Sequence, residues 1–340
     1  QSGARVGFVK QFAVSQTDEN STAMNEYKKE ESRPAHLTAA LLTESGVKFF
    51  ATYRIWIVAA VWLAVRGYVL WGLSPNYYVE SYLQMAGDWL DGYTPYASFK
   101  AEYPPGALLL FVLPRIFTEV PIVYGYIFAF VMLLVDLVIL LLFWRIPALV
   151  RGNEIEVDMG RRYESTLLCL TYILFTAVFR RLLFQNYDLI IGLLLLASIY
   201  FALRKKAFVV DVLVAVGIWL NLTALIWIPL LWWYGFVSRD EANPSKKSFK
   251  ISEFVRSLLP RAAVLAGSLG VLFLPFFMLS GRSLGQIVRF HLERGSQLES
   301  TAASILMLGA KIFGLELSTE FTDRAVHLSG ALGSQGAAAT

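Results

Sequence analysis

Cysteine is nearly missing from this sequence. Cys169 is its only cysteine, which excludes an intrachain disulfide and a thiolate metal site; it lies inside an apolar run and reads as packing. Histidine is scarce as well. The three present are widely separated, too few for a histidine-held metal, so no cofactor is expected. Charged residues make up 16% against 56% hydrophobic, a balance too apolar for a water-soluble domain of this length. The net charge of +4 is small and sits in particular loops, so it speaks to orientation and argues against a nucleic-acid partner. No apolar core near the start reads as a cleavable signal peptide, and no internal repeat is visible.

What the sequence has is apolar runs long enough to cross a bilayer, without the alternating polar faces of a soluble helical core. Crossings are predicted at 50–73, 123–144, 163–179, 189–203 and 262–279. The run 209–236 is too long for one span and is broken at Asn221-Leu222-Thr223 and again at Pro229, which predicts a tight hairpin of two spans. A last apolar piece, 303–315, reads as a partial span. The expected fold is an all-α, polytopic transmembrane helical bundle. Residues 1–48 are polar and poor in aromatics and read as a disordered cytoplasmic tail. The membrane domain is expected over 49–316, with its first outer loop at 74–120, and 317–340 reads as a truncated C-terminal segment.

The run 103–117 is short for a span and begins with Pro104-Pro105. If it does not cross, the basic clusters at Arg145 to Arg162, Arg204 to Lys206 and Arg239 to Arg256 all fall on the side of the N-terminal tail. The positive-inside rule makes that side cytoplasmic, so 103–117 is expected to be interfacial or re-entrant. The loops 80–102, 180–188 and 281–300 then share the opposite, outer face.

Those loops carry the polar clusters. Glu80, Asp88, Asp91 and Glu102 stand among Tyr77, Tyr78, Tyr82, Tyr96 and Tyr103, aromatics that favour the bilayer interface and also stack on sugars. Transfer of a glycosyl group with inversion needs one carboxylate as general base, and cations or donors for the departing phosphate. Glu80 is the first candidate for the base and Glu102 the second, while Asp88 and Asp91 fit an exposed helix face. Arg180 and Arg181 run against the positive-inside bias, which calls for a partner: lipid phosphate or Asp188. Arg289 and Arg294 are suited to gripping a phosphate, and His291 to holding or relaying a proton. Asp136 lies within a predicted span, where it is either functional or paired with another span. Asn221-Leu222-Thr223 fits a glycosylation acceptor pattern, but a tight membrane hairpin leaves it no room for modification.

These residues resemble the GT-C superfamily of membrane glycosyltransferases, and most closely glycosyltransferase family 87, the polyprenol-phosphate-mannose-dependent mannosyltransferase type. Tyr82, Gly92, Pro95-Tyr96 and Glu102-Tyr103-Pro104-Pro105 follow the family's first-loop pattern. Gln185-Asn186-Tyr187-Asp188 looks like its Gly-Asn-Phe-Asp type of segment, and Arg294, Gly295, Gln297, Glu299 and Ser300 like its Arg-Gly-x-Gln-x-Glu-Ser stretch. The resemblance implies interfacial helices in the first outer loop and an outward-facing active site in a prokaryotic cell membrane. It also implies a polyprenyl-phosphate-sugar donor, a glycan or lipid acceptor, and membrane lipids as surroundings.

On that footing Glu80 and Glu102 are the catalytic candidates. Arg180, Arg181 and Arg294 would handle the donor phosphate, Asp188 and His291 would orient the site, and Tyr82, Tyr96 and Tyr103 would supply substrate-loop aromatics. Two departures stand out: the position of the family's first-loop Asp is Tyr78, and a Lys frequent near the hairpin is Asn221. The alternatives are a transporter or lipid-handling protein, and a catalytically inactive scaffold of the same fold.

Overall fold

The computed structural model describes residues 44–150, 158–240, 251–293, 301–314, 318–322 and 325–329. The chain enters through helix α1 (Glu44–Leu70), followed by α2 (Tyr77–Leu90) and α3 (Pro105–Arg115). Then come α4 (Pro121–Val150), α5 (Asp158–Ala177), the single turn α6 (Arg180–Leu183), α7 (Asp188–Leu203) and α8 (Ala207–Leu220). A 3₁₀ turn at Leu222–Ile226 leads into α9 (Trp227–Asp240). The long α10 (Ile251–Ser280) passes through a second 3₁₀ turn, Gly281–Gly285, into α11 (Gln286–Glu293), and α12 (Thr301–Phe313) follows. The helical bundle predicted from the apolar runs is thus the fold. The described C-terminal part adds an antiparallel hairpin, Ser318–Thr322 with Ala325–Ser329, that hydrophobic periodicity had not announced.

Among the described residues, three helices are long and apolar enough to cross a bilayer: Thr52–Leu70, Pro121–Val150 and Phe254–Phe290, the last running from α10 into α11. Large apolar side chains such as Trp56, Leu63, Phe130, Leu134, Val271 and Met278 are exposed on them, as a lipid environment favours. The chain is a membrane protein. Of the other predicted crossings, 189–203 and the two arms of 209–236 are shorter apolar helices, whereas 163–179 lies mostly in α5, which is not among the helices apolar enough to count as a span. The hairpin breaks where expected. Asn221 leaves the helical region at φ −157° and ψ 126°, and its side chain accepts from Thr223 N to start the 3₁₀ turn. Pro229 does not interrupt the second arm. It falls in the first turn of α9, where a helix has no use for the missing N–H.

The run 103–117 forms α3, an 11-residue helix about 16 Å long, half the thickness of a hydrocarbon core. Pro105 occupies its first turn, where fixed φ helps and the lost donor is free. It packs on α2, on α4 and on the C-terminal end of α8. Gly106 makes that last approach possible: a Cβ there would sit 2.5 Å from the Trp219 ring and 2.9 Å from the Trp219 carbonyl oxygen. Because one obstacle is backbone, the overlap cannot be relieved by a rotamer change alone. Gly106→Ala is expected to cost roughly 1–3 kcal/mol by overpacking, read as a lower thermal midpoint of the detergent-solubilised protein.

Among the described residues, two buried ion pairs tie the bundle. Arg66 of α1 meets Asp136 of α4 in a bidentate pair, Nε to Oδ2 at 2.8 Å and Nη2 to Oδ1 at 2.9 Å. Trp62 Nε1 and the Tyr172 hydroxyl also donate to that carboxylate, both at 2.6 Å, and Arg66 reaches the Ile173 carbonyl and Thr176 hydroxyl of α5. Asp136 is therefore a structural partner, the second of the two readings its position allowed. The other pair joins Asp211 of α8 to Arg261 of α10 at 2.7 Å, with Trp232 Nε1 of α9 donating to Asp211 at 3.0 Å.

Candidate active site

The loops that join the helices at one end of the bundle converge. Asn76 caps α2 by accepting from Val79 N at 3.1 Å, which fixes the helix that carries Tyr82. Val79, Tyr82, Met85 and Ala86 form the buried face of α2. Glu80 lies two residues from Tyr82, about 200° around the helix, so it is exposed on the opposite face; Tyr78, one turn before Tyr82, is exposed as well. Asp91 is exposed and Asp88 half-buried.

Beyond α2 the chain turns at Gly92, whose φ of +96° suits glycine, and folds back at Tyr96, held at φ +66°. The Tyr96 side chain is buried, and its hydroxyl donates to the Tyr103 carbonyl at 2.7 Å. Ser280, at the end of α10, donates to the Pro95 carbonyl at 2.8 Å. Tyr96 therefore braces the loop from within. A left-handed backbone for a bulky residue costs about 1–3 kcal/mol, and these bonds on either side offset it.

Four rings then gather. Tyr82 stacks on Phe111 of α3, centroids 3.9 Å apart and planes 8° from parallel. Tyr103 stands edge-on to Tyr82 at 5.6 Å, to Phe111 at 5.3 Å and to Tyr187 at 5.6 Å. Tyr187 immediately precedes α7 and closes on Phe111 at 5.6 Å. The polar edge of this aromatic group carries Asn186, Asp188, Asn221 and Glu102. Tyr82 donates to Asn186 Oδ1 at 3.4 Å, and the Asp188 amide donates to the same oxygen at 3.3 Å. Asn221 Nδ2 reaches the Tyr187 hydroxyl at 3.2 Å and Asp188 Oδ1 at 3.4 Å. Glu102 is half-buried, close enough that its charge bears on Tyr187.

Burial, reinforced by the nearby Tyr103, Tyr187 and Asp188, pushes the Tyr82 phenol far up; burial and then Asp188 do the same to Tyr187. Both stay neutral at physiological pH. They are buried packing and hydrogen-bonding groups, not bases. Asp188 is accessible at its edge yet surrounded by protein; the resulting desolvation raises its carboxyl, while bonds from Asn186 and Asn221 pull it down. In this cluster the proton-accepting chemistry belongs to two carboxylates, Glu102 and Asp188.

Arg180 takes neither of these as its partner. Its guanidinium donates to the Trp71 carbonyl and lies over the Tyr68 ring, 4.4 Å from the centroid. It lines a cleft of about 510 Å³ together with Val69, Leu73, Ser74, Asn76, Leu182 and Gln185. Gln185 is buried there and donates to the Ser74 carbonyl. The cleft thus lies between the end of α1 and α6, beside the aromatic group. Arg181 belongs to α6 and His291 to α11, but their side chains, and all of Arg294, lie outside the described residues. Gly281–Gly285 and α11 still approach the first loop, since Lys100 Nζ sits 5.0 Å from the centre of the Phe290 ring. Among the described residues no group of histidine, cysteine and carboxylate side chains is placed to hold a metal ion.

Asn186 and Asn221 are the site residues that the functional candidates left out. The motif Gln185 to Asp188 signalled the first, and the break in the apolar run signalled the second, but nothing in the sequence linked 221 to 188.

Residues 102–242 match the model of glycosyltransferase family 87. The matched stretch opens on Glu102-Tyr103-Pro104-Pro105 and includes Gln185 to Asp188 and Asn221; Tyr82, Tyr96 and 294–300 fall outside it. No curated protein sequence matches the chain.

Proposed function

We propose that this chain, whose residues 102–242 match the model of glycosyltransferase family 87, is a glycosyltransferase that moves mannose from a polyprenyl-phosphate donor to a hydroxyl of a glycan or lipid acceptor on the outer face of a prokaryotic cell membrane, with inversion. The observation that carries the reading is the pair Glu102 and Asp188 at the edge of one aromatic group. Its buried Tyr82 and Tyr187 stay neutral, which leaves the two carboxylates as the groups able to take a proton there.

In the reaction the acceptor oxygen attacks the anomeric carbon and gives its proton to Glu102. The bond from that carbon to the phosphate oxygen breaks, and the polyprenyl phosphate leaves with the electron pair. Asp188, as a carboxylate, accepts hydrogen bonds from sugar hydroxyls and so fixes the ring. Arg180 is the described cation suited to the leaving phosphate, because it lines a cleft beside the apolar side chains of Val69, Leu73 and Leu182. Arg181, Arg294 and His291, chosen from the sequence alone, are proposed as further groups for the phosphate. Glu102 is placed ahead of Glu80 as the base because Glu80 faces away from the tyrosines.

The test is transfer of labelled mannose by the full chain in membranes supplemented with lipid and glycan acceptors. Polyprenyl-phosphate-mannose and a nucleotide-linked mannose are supplied in separate arms. Label should leave the polyprenyl donor and not the nucleotide. Transfer from the nucleotide alone overturns the donor assignment. No transfer in either arm favours the inactive scaffold, the reading that Tyr78 in the family's Asp position and the outward Glu80 support.

A further inference from the structure

The geometry points to Asn221 as a positioning residue: from the hairpin between α8 and α9 it fixes the carboxylate of Asp188 and the hydroxyl of Tyr187 in the transfer site. The inference rests on the transfer reading for its functional meaning, and on the following bonds for its geometry.

Every polar group of Asn221 is engaged. Its amide N–H donates to the Gly217 carbonyl at 2.7 Å, ending α8, and its carbonyl accepts from Ala224 N at 3.2 Å. Its side-chain Oδ1 accepts from Thr223 N and from Thr223 Oγ1, both at 3.0 Å. That settles which way the carboxamide points. A backbone N–H requires an acceptor, so oxygen faces Thr223 and the amino group faces Tyr187 and Asp188, the partners that need a donor. One planar group thereby joins the turn of the hairpin to the start of α7. No other neutral side chain of this length offers a fixed acceptor on one side and a fixed donor on the other.

The consequence is electrostatic as well as geometric. Among the described residues, the titratable groups around Asp188 are Tyr187 beside it, Tyr82 on α2, and Tyr103 with Glu102 ahead of α3; Arg180 is directed at Trp71 and Tyr68. With these tyrosines neutral, the stabilisation of ionised Asp188 that the described residues supply comes from hydrogen bonds, and Asn221 supplies one of them. Removing that donor favours the protonated acid.

The informative variant is Asn221→Ser. Serine keeps an oxygen able to cap the 3₁₀ turn but has no group that reaches Asp188. Two readouts are taken on the full chain: the pH–rate profile of mannose transfer, and the carboxyl stretch of Asp188 in infrared difference spectra, assigned with Asp188→Asn. The Asp188 titration and the acidic limb of the rate profile should both move to higher pH by about one unit, with the thermal midpoint little changed. Asn221→Asp, which retains the cap and sets a second carboxylate beside the first, should move them further. An Asp188 titration unmoved in both variants overturns the inference. A titration that moves in a chain without transfer activity leaves Asn221 as the positioning residue and overturns the transfer reading instead.

Discussion

Glu102→Gln is expected to lower mannose transfer by roughly 10²–10⁴-fold, the usual contribution of a positioned general base. Glutamine keeps the size and hydrogen-bonding reach of the side chain but cannot take the acceptor proton, so donor binding should persist while turnover falls. The matched control is Glu80→Gln. Glu80 sits on the exposed face of α2, turned away from Tyr82, and its loss should leave transfer near wild type. Steady-state kinetics on both variants check this. A collapse in Glu80→Gln with Glu102→Gln intact would reverse the two roles, and would require α2 to present its opposite face to the substrate.

Asp136→Ala is expected to destabilise the bundle by roughly 3–5 kcal/mol. The alanine removes the acceptor of two Arg66 bonds, one Trp62 bond and one Tyr172 bond, leaving a guanidinium that is 1% exposed with no counter-charge. The cost lies in the stranded cation more than in the lost attraction. The double variant Arg66→Met with Asp136→Leu should therefore recover much of the loss, since it removes both charges and fills the space with apolar atoms. Thermal midpoints of the single and double variants in detergent measure the difference. A double variant as unstable as the single would mean that the wider network through Tyr172 and Thr176 carries the stability.

The bundle was legible because lipid imposes long apolar runs, and those runs were visible without any alignment. The break of the hairpin was legible for the same reason: Asn221-Leu222-Thr223 interrupts an otherwise continuous apolar stretch. The inner ion pairs were half legible. Asp136 stood out, yet its partner Arg66 and the pair Asp211 with Arg261 did not, although one ionisable residue of each sign in separate apolar runs is the signal to match. The direction of a carboxylate was not legible at all. Glu80 and Glu102 look alike in a tyrosine-rich stretch, and only the buried face of α2, set by Val79, Tyr82, Met85 and Ala86, separates them. The burial of Tyr96 was equally hidden, since it follows from a single left-handed residue.

The Arg66–Asp136 pair also has a bearing on biogenesis. α1 leaves the ribosome before α4, and Arg66 lies only four residues from the end of the apolar span Thr52–Leu70. An arginine that close to a helix end can hold its guanidinium at the polar boundary of the bilayer until a partner arrives. Insertion of α4 then brings the Asp136 carboxylate to it, and the neutralised pair can settle into the interior where the two side chains are found.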